Sequence, residues 1–436
     1  MLDFFISVIY CFLIISFAYF YQRVKIKDNP EYKWYTKGLL AKIVGGLFFA
    51  IVYTQYYGFG DTFRYFKDGI VLSDFFFSNP SDYFKVLFNS REFAVGDYER
   101  LASQISFSHA DEEWFMVKIV SFIALLGFQK FWATTIIFSV VSYLGSWSFF
   151  KFFLSNIKIS ERLLALFILF IPSVLFWSSS ILKDNITYTS LGVLVYVMSN
   201  FFFKNKRKVL TVVIILTMMY VSFFLKSYII TCFLPCFLIS IYIFYKNKIN
   251  NFVARIILAP LILFVLIAIG VGSSFVLVNS SEKLQIDQLE SRIKGFQGWH
   301  ETLGGSYYSL GKIDLTPTGI LKKWPAALGV TFYGPKLWEI RNPAMALTAL
   351  ESFILLLLSI YILIKLRLSI VKLILKNHIL ILSFTFCASF GLIVGLTSYN
   401  YGALARYKIP CLPFFYFLVA YFIDYISKKN KIEESH

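Results

Sequence analysis

Apolar stretches of about twenty residues recur along this chain, and the short segments between them carry Lys and Arg. A run of roughly 18 or more apolar residues suits a bilayer, and there it must be a helix, because a helix satisfies its own backbone groups. Such runs lie at 1–21, 38–57, 131–150, 163–180, 185–203, 209–225, 229–245, 254–278, 346–364, 378–396 and 409–427. Composition points the same way. Of 436 residues, 58% are hydrophobic and 15% charged, against about 45–50% and 25% in soluble domains. The expected fold is all-α: one polytopic transmembrane helix bundle over 1–436, with about 11 spans and 10–12 possible.

The net charge is +17. In a soluble protein that would suggest nucleic acid. Here the cations sit in short loops between apolar runs, as cytoplasmic loops beside anionic lipid do, and no nucleic-acid fold pattern accompanies them. Arg23, Lys25, Lys27, Lys33 and Lys37 follow the first helix and place that loop in the cytoplasm, with the N-terminus outside. Lys204, Lys206, Arg207 and Lys208 form the strongest cytoplasmic mark, and Lys428, Lys429 and Lys431 put the C-terminus there too. Met1-Leu2-Asp3 offers no basic lead-in or cleavage site, so residues 1–21 read as a retained helix rather than a signal peptide.

Two larger polar regions then fall outside, 58–130 and 279–345. The first holds Asp61, Asp68, Asp74, Asp82, Glu92, Asp97, Glu99, Asp111 and Glu112 against Arg64, Lys67, Lys85, Arg91 and Arg100. Its stretches 74–80 and 82–88, broken at Pro80, mix bulky apolar and polar residues at helical spacing and suit the interface. Residues 114–127, an apolar run of 14 interrupted by Lys118, are marginal in length for a span, and loop parity makes them re-entrant or interfacial.

Five charged clusters stand out. Tyr56-Tyr57-Gly58-Phe59-Gly60-Asp61-Thr62-Phe63-Arg64-Tyr65 closes the second apolar run with two glycines, crowding aromatics, and Asp61 three residues from Arg64. A charged pair at the rim of a span is a site candidate, the alternative being an aromatic belt with solvated charges. Pro172 to Asp184 joins a Pro, Trp177 and three serines to Lys183-Asp184, which suits an anion or, alternatively, a hairpin tip at the headgroups. Lys226 stands alone in a turn of almost no length, where snorkelling is the plainer role. Glu339 and Arg341 precede the ninth helix, and Glu351 lies inside it, where an acid needs a partner in the bundle. Arg406, Tyr407 and Lys408 precede the last helix on the outer side, against the charge trend, and suit a phosphate or an anionic headgroup.

Under this topology all five clusters share the outer face. The sequence holds no Walker A motif and no dinucleotide fingerprint, so sugar or phosphate chemistry would need a donor already in the membrane. Cys11, Cys232, Cys236, Cys387 and Cys411 lie in or beside apolar runs without a metal-ligand pattern, and His109, His300, His378 and His436 are scattered. No motif specifies a cofactor or a divalent cation.

The outward helix ending in Gly60-Asp61-Thr62-Phe63-Arg64-Tyr65, with interfacial helices after it, resembles integral-membrane GT-C glycosyltransferases. Phe176-Trp177-Ser178-Ser179 with Lys183-Asp184, and Arg406-Tyr407-Lys408-Ile409-Pro410, are similar to segments of membrane proteins of bacterial surface-polysaccharide loci, GT-C-like enzymes and oligosaccharide-repeat polymerases among them. The resemblance implies glycosyl transfer from a polyprenyl-phosphate-linked sugar on the outer face of the bacterial inner membrane. Asp61 would be the general base, and Arg406 and Lys408, with Lys183 or Arg64, would meet the departing lipid phosphate. The partners implied are that lipid-linked sugar and membrane lipids. The rival class is a transporter or flippase for a lipid-linked saccharide. Topology has a direct test: labelling of Asp61→Cys, Lys206→Cys and Arg406→Cys should report outside, inside and outside, and a shared side for 61 and 206 would overturn the scheme.

Overall fold

In the computed structural model, the residues described are 2–88, 101, 103–108, 110–205, 208–246, 248, 306–311 and 316–433. The expected span 254–278, most of 279–315, residues 89–100, and Lys206, Arg207, His109, His300 and His436 lie outside them. Among the described residues every regular element is a helix, with one isolated bridge, Tyr307 with Asn400. Among the described residues seven helices are long and apolar enough to cross a membrane, or eight with one bent pair. The protein is a multi-pass, all-α membrane protein.

The chain divides into two units. The first comprises Met1–Ser148, Val174–Val193 and Tyr220–Lys226. It opens with α1 (Leu2–Lys25), a short 3-10 turn at Pro30–Trp34, and α2 (Tyr35–Val52), which runs into a wider π-helical turn at Tyr53–Tyr57. There follow α3 (Asp61–Ser78), α4 (Pro80–Phe88) and α5 (Asp111–Leu126). Helix α5 has 16 residues, about 24 Å and short of a crossing. It packs along α3, where Val120 and Ser121 press on Gly69 and the Tyr83 and Ser121 hydroxyls bond at 2.7 Å. Buried Asp68 fixes the chain between them, accepting from the Ser106 and Phe107 N–H groups at 3.1 and 3.0 Å.

Helix α6 (Phe131–Asn156) and α9 (Lys183–Phe203) are spans near their expected positions. They cross at Gly145 and Gly192, where a Cβ on Gly192 would lie 2.5 Å from the Gly145 carbonyl oxygen. Between them the expected single helix at 163–180 is instead two short ones, α7 (Glu161–Leu169) and α8 (Pro172–Trp177). Pro172 lacks an N–H and cannot continue the helix, and Ser178–Ser180 leave helical geometry after it. The expected pair 209–225 and 229–245 is one helical run, α10 (Val209–Lys246), broken at a single residue, Lys226, with φ −153° and ψ 79°. A straight rod of that length would reach about 57 Å, nearly twice the hydrocarbon thickness.

The second unit comprises Phe149–Ser173, Leu194–Met219 and Ser227–His436. Its later helices are α11 (Pro317–Tyr333), α12 (Pro343–Leu366), α13 (Ser369–Lys376), α14 (His378–Thr397), α15 (Tyr401–Tyr407) and α16 (Leu412–Glu433). The last two form the bent pair, at 74°. Phe153 stacks on Phe417 at 4.0 Å, and Phe386 and Phe233 close around Phe414. In α14 the small residues Gly391 and Gly395 let α11 approach, with Thr331 donating to the Gly391 carbonyl at 2.8 Å. At the Gly145–Gly192 crossing there is no side chain to yield, so Gly192→Val should cost at least the ~1–3 kcal/mol of an overpacked core. Its thermal midpoint in detergent should fall well below that of Gly329→Val, a position with open space around it.

Candidate functional site

The first unit builds its polar cluster where α8 stops. Ser178, Ser179, Ser180, Asp184 and Asn185 are all buried. Asn185 holds the break, donating from Nδ2 to the Phe138 carbonyl at 2.8 Å and the Ser180 carbonyl at 3.2 Å. Lys42, from the middle of α2, is fully buried against the same segment. Its Nζ donates to Ser178 Oγ at 2.6 Å and to the Val174 carbonyl at 3.1 Å, and lies 4.8 Å from the Tyr188 ring centroid. Those acceptors and the ring face suit the three donors of an ammonium.

Helix α9 begins with the expected Lys183-Asp184 pair, and each residue has a specific partner. Lys183 Nζ meets Glu113 Oε1 at 2.7 Å and Glu112 Oε2 at 3.3 Å, from the first turn of α5. Asp184 Oδ1 receives Lys226 Nζ at 2.5 Å, both side chains being almost wholly buried. The non-helical residue of α10 is thus the one whose ammonium reaches an acid, so Lys226 pairs where the sequence favoured snorkelling.

Asp61 stands at the start of α3, half-exposed. Gly58 and Gly60 precede it at φ 67° and 136°, left-handed conformations that glycine adopts without a Cβ penalty. Gly60 lies against the Tyr53 ring, and that ring also touches Phe49, Tyr57 and Trp177, with centroids 4.1, 5.0 and 6.4 Å away. One tyrosine therefore links the Asp61 turn to the Trp177 break, about 120 positions apart in sequence. Arg64 and Lys67 are exposed further along α3. Near this shelf Trp177 Nε1, Ser179 Oγ, Asn185 Oδ1 and Thr62 Oγ1 are buried without a hydrogen-bond partner among the described residues.

The second unit holds the remaining candidates. Glu351 on α12 accepts from the Ser173 N–H at 2.7 Å and from Ser173 Oγ at 2.8 Å, with the Tyr416 hydroxyl also bonded to it. Its buried neighbour Lys408 donates to the Gly334 carbonyl at 3.3 Å. Glu351 thus has the bundle partners an acid inside a span requires. Glu339 Oε2 accepts from the Tyr401 hydroxyl at 2.8 Å and the Lys336 N–H at 2.7 Å. Arg341 is exposed, while Arg406 and Tyr407 are half-buried at the end of α15. Ser306–Tyr308 is laced to Tyr399–Tyr401 by backbone bonds at 3.0 and 2.9 Å. Tyr399 sits at φ 48°, and burial, with Tyr307 beside it, pushes its phenol up to about 12.

The candidates thus fall into two sets. Asp61, Arg64, Lys183, Asp184 and Lys226 belong to the first unit, and Glu339, Arg341, Glu351, Arg406, Tyr407 and Lys408 to the second. Lys42 was missed, although a lysine alone in the middle of an uncharged run was the signal for it. Glu112 reads in the sequence as an acid of the external region and Glu113 was missed; folding sets both against Lys183. Among the described residues no three His, Cys, Asp or Glu side chains are placed to hold a metal ion. Compared with protein families, curated proteins and solved structures, the chain matches none.

The Asp184–Lys226 pair gives a clear expectation. Asp184→Leu or Lys226→Met alone removes one member of a buried ion pair, at a cost of about 3–5 kcal/mol. The double variant Asp184→Leu/Lys226→Met should regain most of the loss in thermal midpoint, and additive losses would show the two groups to be uncoupled.

Proposed function

We propose that this protein is a membrane glycosyltransferase of surface-polysaccharide assembly, taking its sugar from a polyprenyl-phosphate donor on the outer face of a bacterial inner membrane. The observation that carries the reading is Asp61: a half-exposed residue on a glycine-built turn whose Gly60 lies against Tyr53, with Tyr53 and Tyr57 half-buried beside it and Trp177 buried behind them. Sugar rings present C–H faces that stack on such aromatics, while a carboxylate at the rim is placed for an acceptor hydroxyl. As the acceptor oxygen bonds to the anomeric carbon, its proton passes to Asp61. The bond from that carbon to the phosphate oxygen breaks, and the lipid phosphate leaves with the electron pair. Arg64, exposed one helical turn on, supplies a cation for the developing charge. Lys183 and Lys226 are committed to carboxylates, so in this reading they hold the Trp177–Asp184 break in shape.

A second reading, a transporter of lipid-linked saccharide, is favoured by Lys42, since an ionisable side chain buried in mid-span marks a pathway as often as a scaffold. In the polymerase reading the basic residues, Arg406 above all, matter more than Asp61. One variant separates them. In reconstituted membranes supplied with polyprenyl-phosphate sugars, Asp61→Asn should lower transfer by about 10²–10⁴ while donor binding is retained. Undiminished transfer would remove Asp61 as the base, and Arg406→Gln would then test the polymerase.

A further inference from the structure

Helix α13 is eight residues long and lies between two spans, α12 and α14. Both of its ends are sharp turns. Arg367 takes φ 48°, a left-handed conformation rare outside glycine, while its N–H still caps α12 at the Leu363 carbonyl. Beyond the helix, Asn377 Oδ1 accepts from the Ile379 and Leu380 N–H groups and starts α14 afresh. The short helix is thus separate from both spans and lies at the level where they end.

Its surface is two-sided. Ile374 is buried toward the protein, but Leu368, Val371 and Leu375, at helical spacing on one face, are 82%, 53% and 63% exposed. Three large aliphatic side chains on one exposed face are costly in water. Around them stand Lys365, Arg367, Lys372 and Lys376, all exposed. No Asp or Glu occurs anywhere between Glu351 and Asp424, so this patch carries four positive charges with no acid in its own stretch of chain.

We propose that α13 is an interfacial helix that binds anionic lipid, with Leu368, Val371 and Leu375 in the acyl boundary and Arg367, Lys372 and Lys376 on lipid phosphates. The pattern is that of a helix lying in a membrane surface, with apolar anchors immersed and basic side chains snorkelling to the headgroups. Anionic lipid is the occupant that satisfies both halves, because a free anion would leave the aliphatic face in water.

Electron paramagnetic resonance on the full-length protein tests this in phosphatidylcholine bilayers doped with spin-labelled phosphatidylglycerol or spin-labelled phosphatidylcholine. The wild type should immobilise the anionic label in preference. Arg367→Gln/Lys372→Gln/Lys376→Gln should cut that preference at least about five-fold, the worth of roughly one interfacial cation. An unchanged preference would overturn the proposal, and so would displacement of the label by excess inorganic phosphate, which would mark a free-anion site. A nitroxide on Val371→Cys, in a Cys11→Ser background, should be open to dissolved oxygen and shielded from an aqueous nickel reagent; exposure to the nickel reagent would equally overturn it.

Discussion

A helix that breaks inside an apolar bundle frees backbone groups that lipid cannot satisfy, and the protein depends on how those groups are met. At Pro172 the freed Ser173 N–H goes to Glu351. After Trp177 the Val174 carbonyl takes Lys42 as well as the Ser178 N–H, and the Ser180 carbonyl takes the Asn185 side chain. Ahead of α15, Asn400 Oδ1 takes the Gly402 and Ala403 N–H groups, and the Ser306–Tyr308 segment bonds the backbone around it. Glu351 and Lys42 come from distant parts of the chain, so at these two breaks a polar bond joins elements far apart in sequence.

The same rule governs the charges. An isolated ammonium in hydrocarbon is expensive, and this fold answers it in two ways. Lys183 and Lys226 find carboxylates, while Lys42 finds a hydroxyl, a carbonyl and a tyrosine face. Pairing consumes the cations that the sequence offered for an anionic ligand. In the proposed reaction the phosphate role in the first unit falls accordingly to Arg64, which stands exposed on α3. Asp61 is a candidate in that proposal for a different reason: its turn is built by two glycines in left-handed conformations, and it stays half-exposed at the start of α3.

Some of this was legible residue by residue. The spans at 131–150, 185–203, 346–364 and 378–396 stand within a few residues of α6, α9, α12 and α14, because a long uncharged run leaves a bilayer chain no other conformation. The run at 163–180 misled. Its hydropathy is continuous, but Pro172 and the serines after it have partners that make a break affordable. Lys226 misled in the opposite direction, since a lone lysine near a turn looks like a snorkelling anchor until Asp184 is found against it.

From the sequence alone, then, came the all-α membrane class, the positions of most spans and the Gly58–Asp61 turn, all set by local properties: hydropathy over about twenty residues and the conformational freedom of glycine. Tertiary structure alone decided which charges are paired, where an apolar run is broken, and that Tyr53, which lies against Gly60, also reaches Trp177. Those are contacts between residues tens to more than a hundred positions apart. Hydropathy carries no information about them, because whether a buried charge or an open carbonyl is tolerable depends on the partner that packing brings to it.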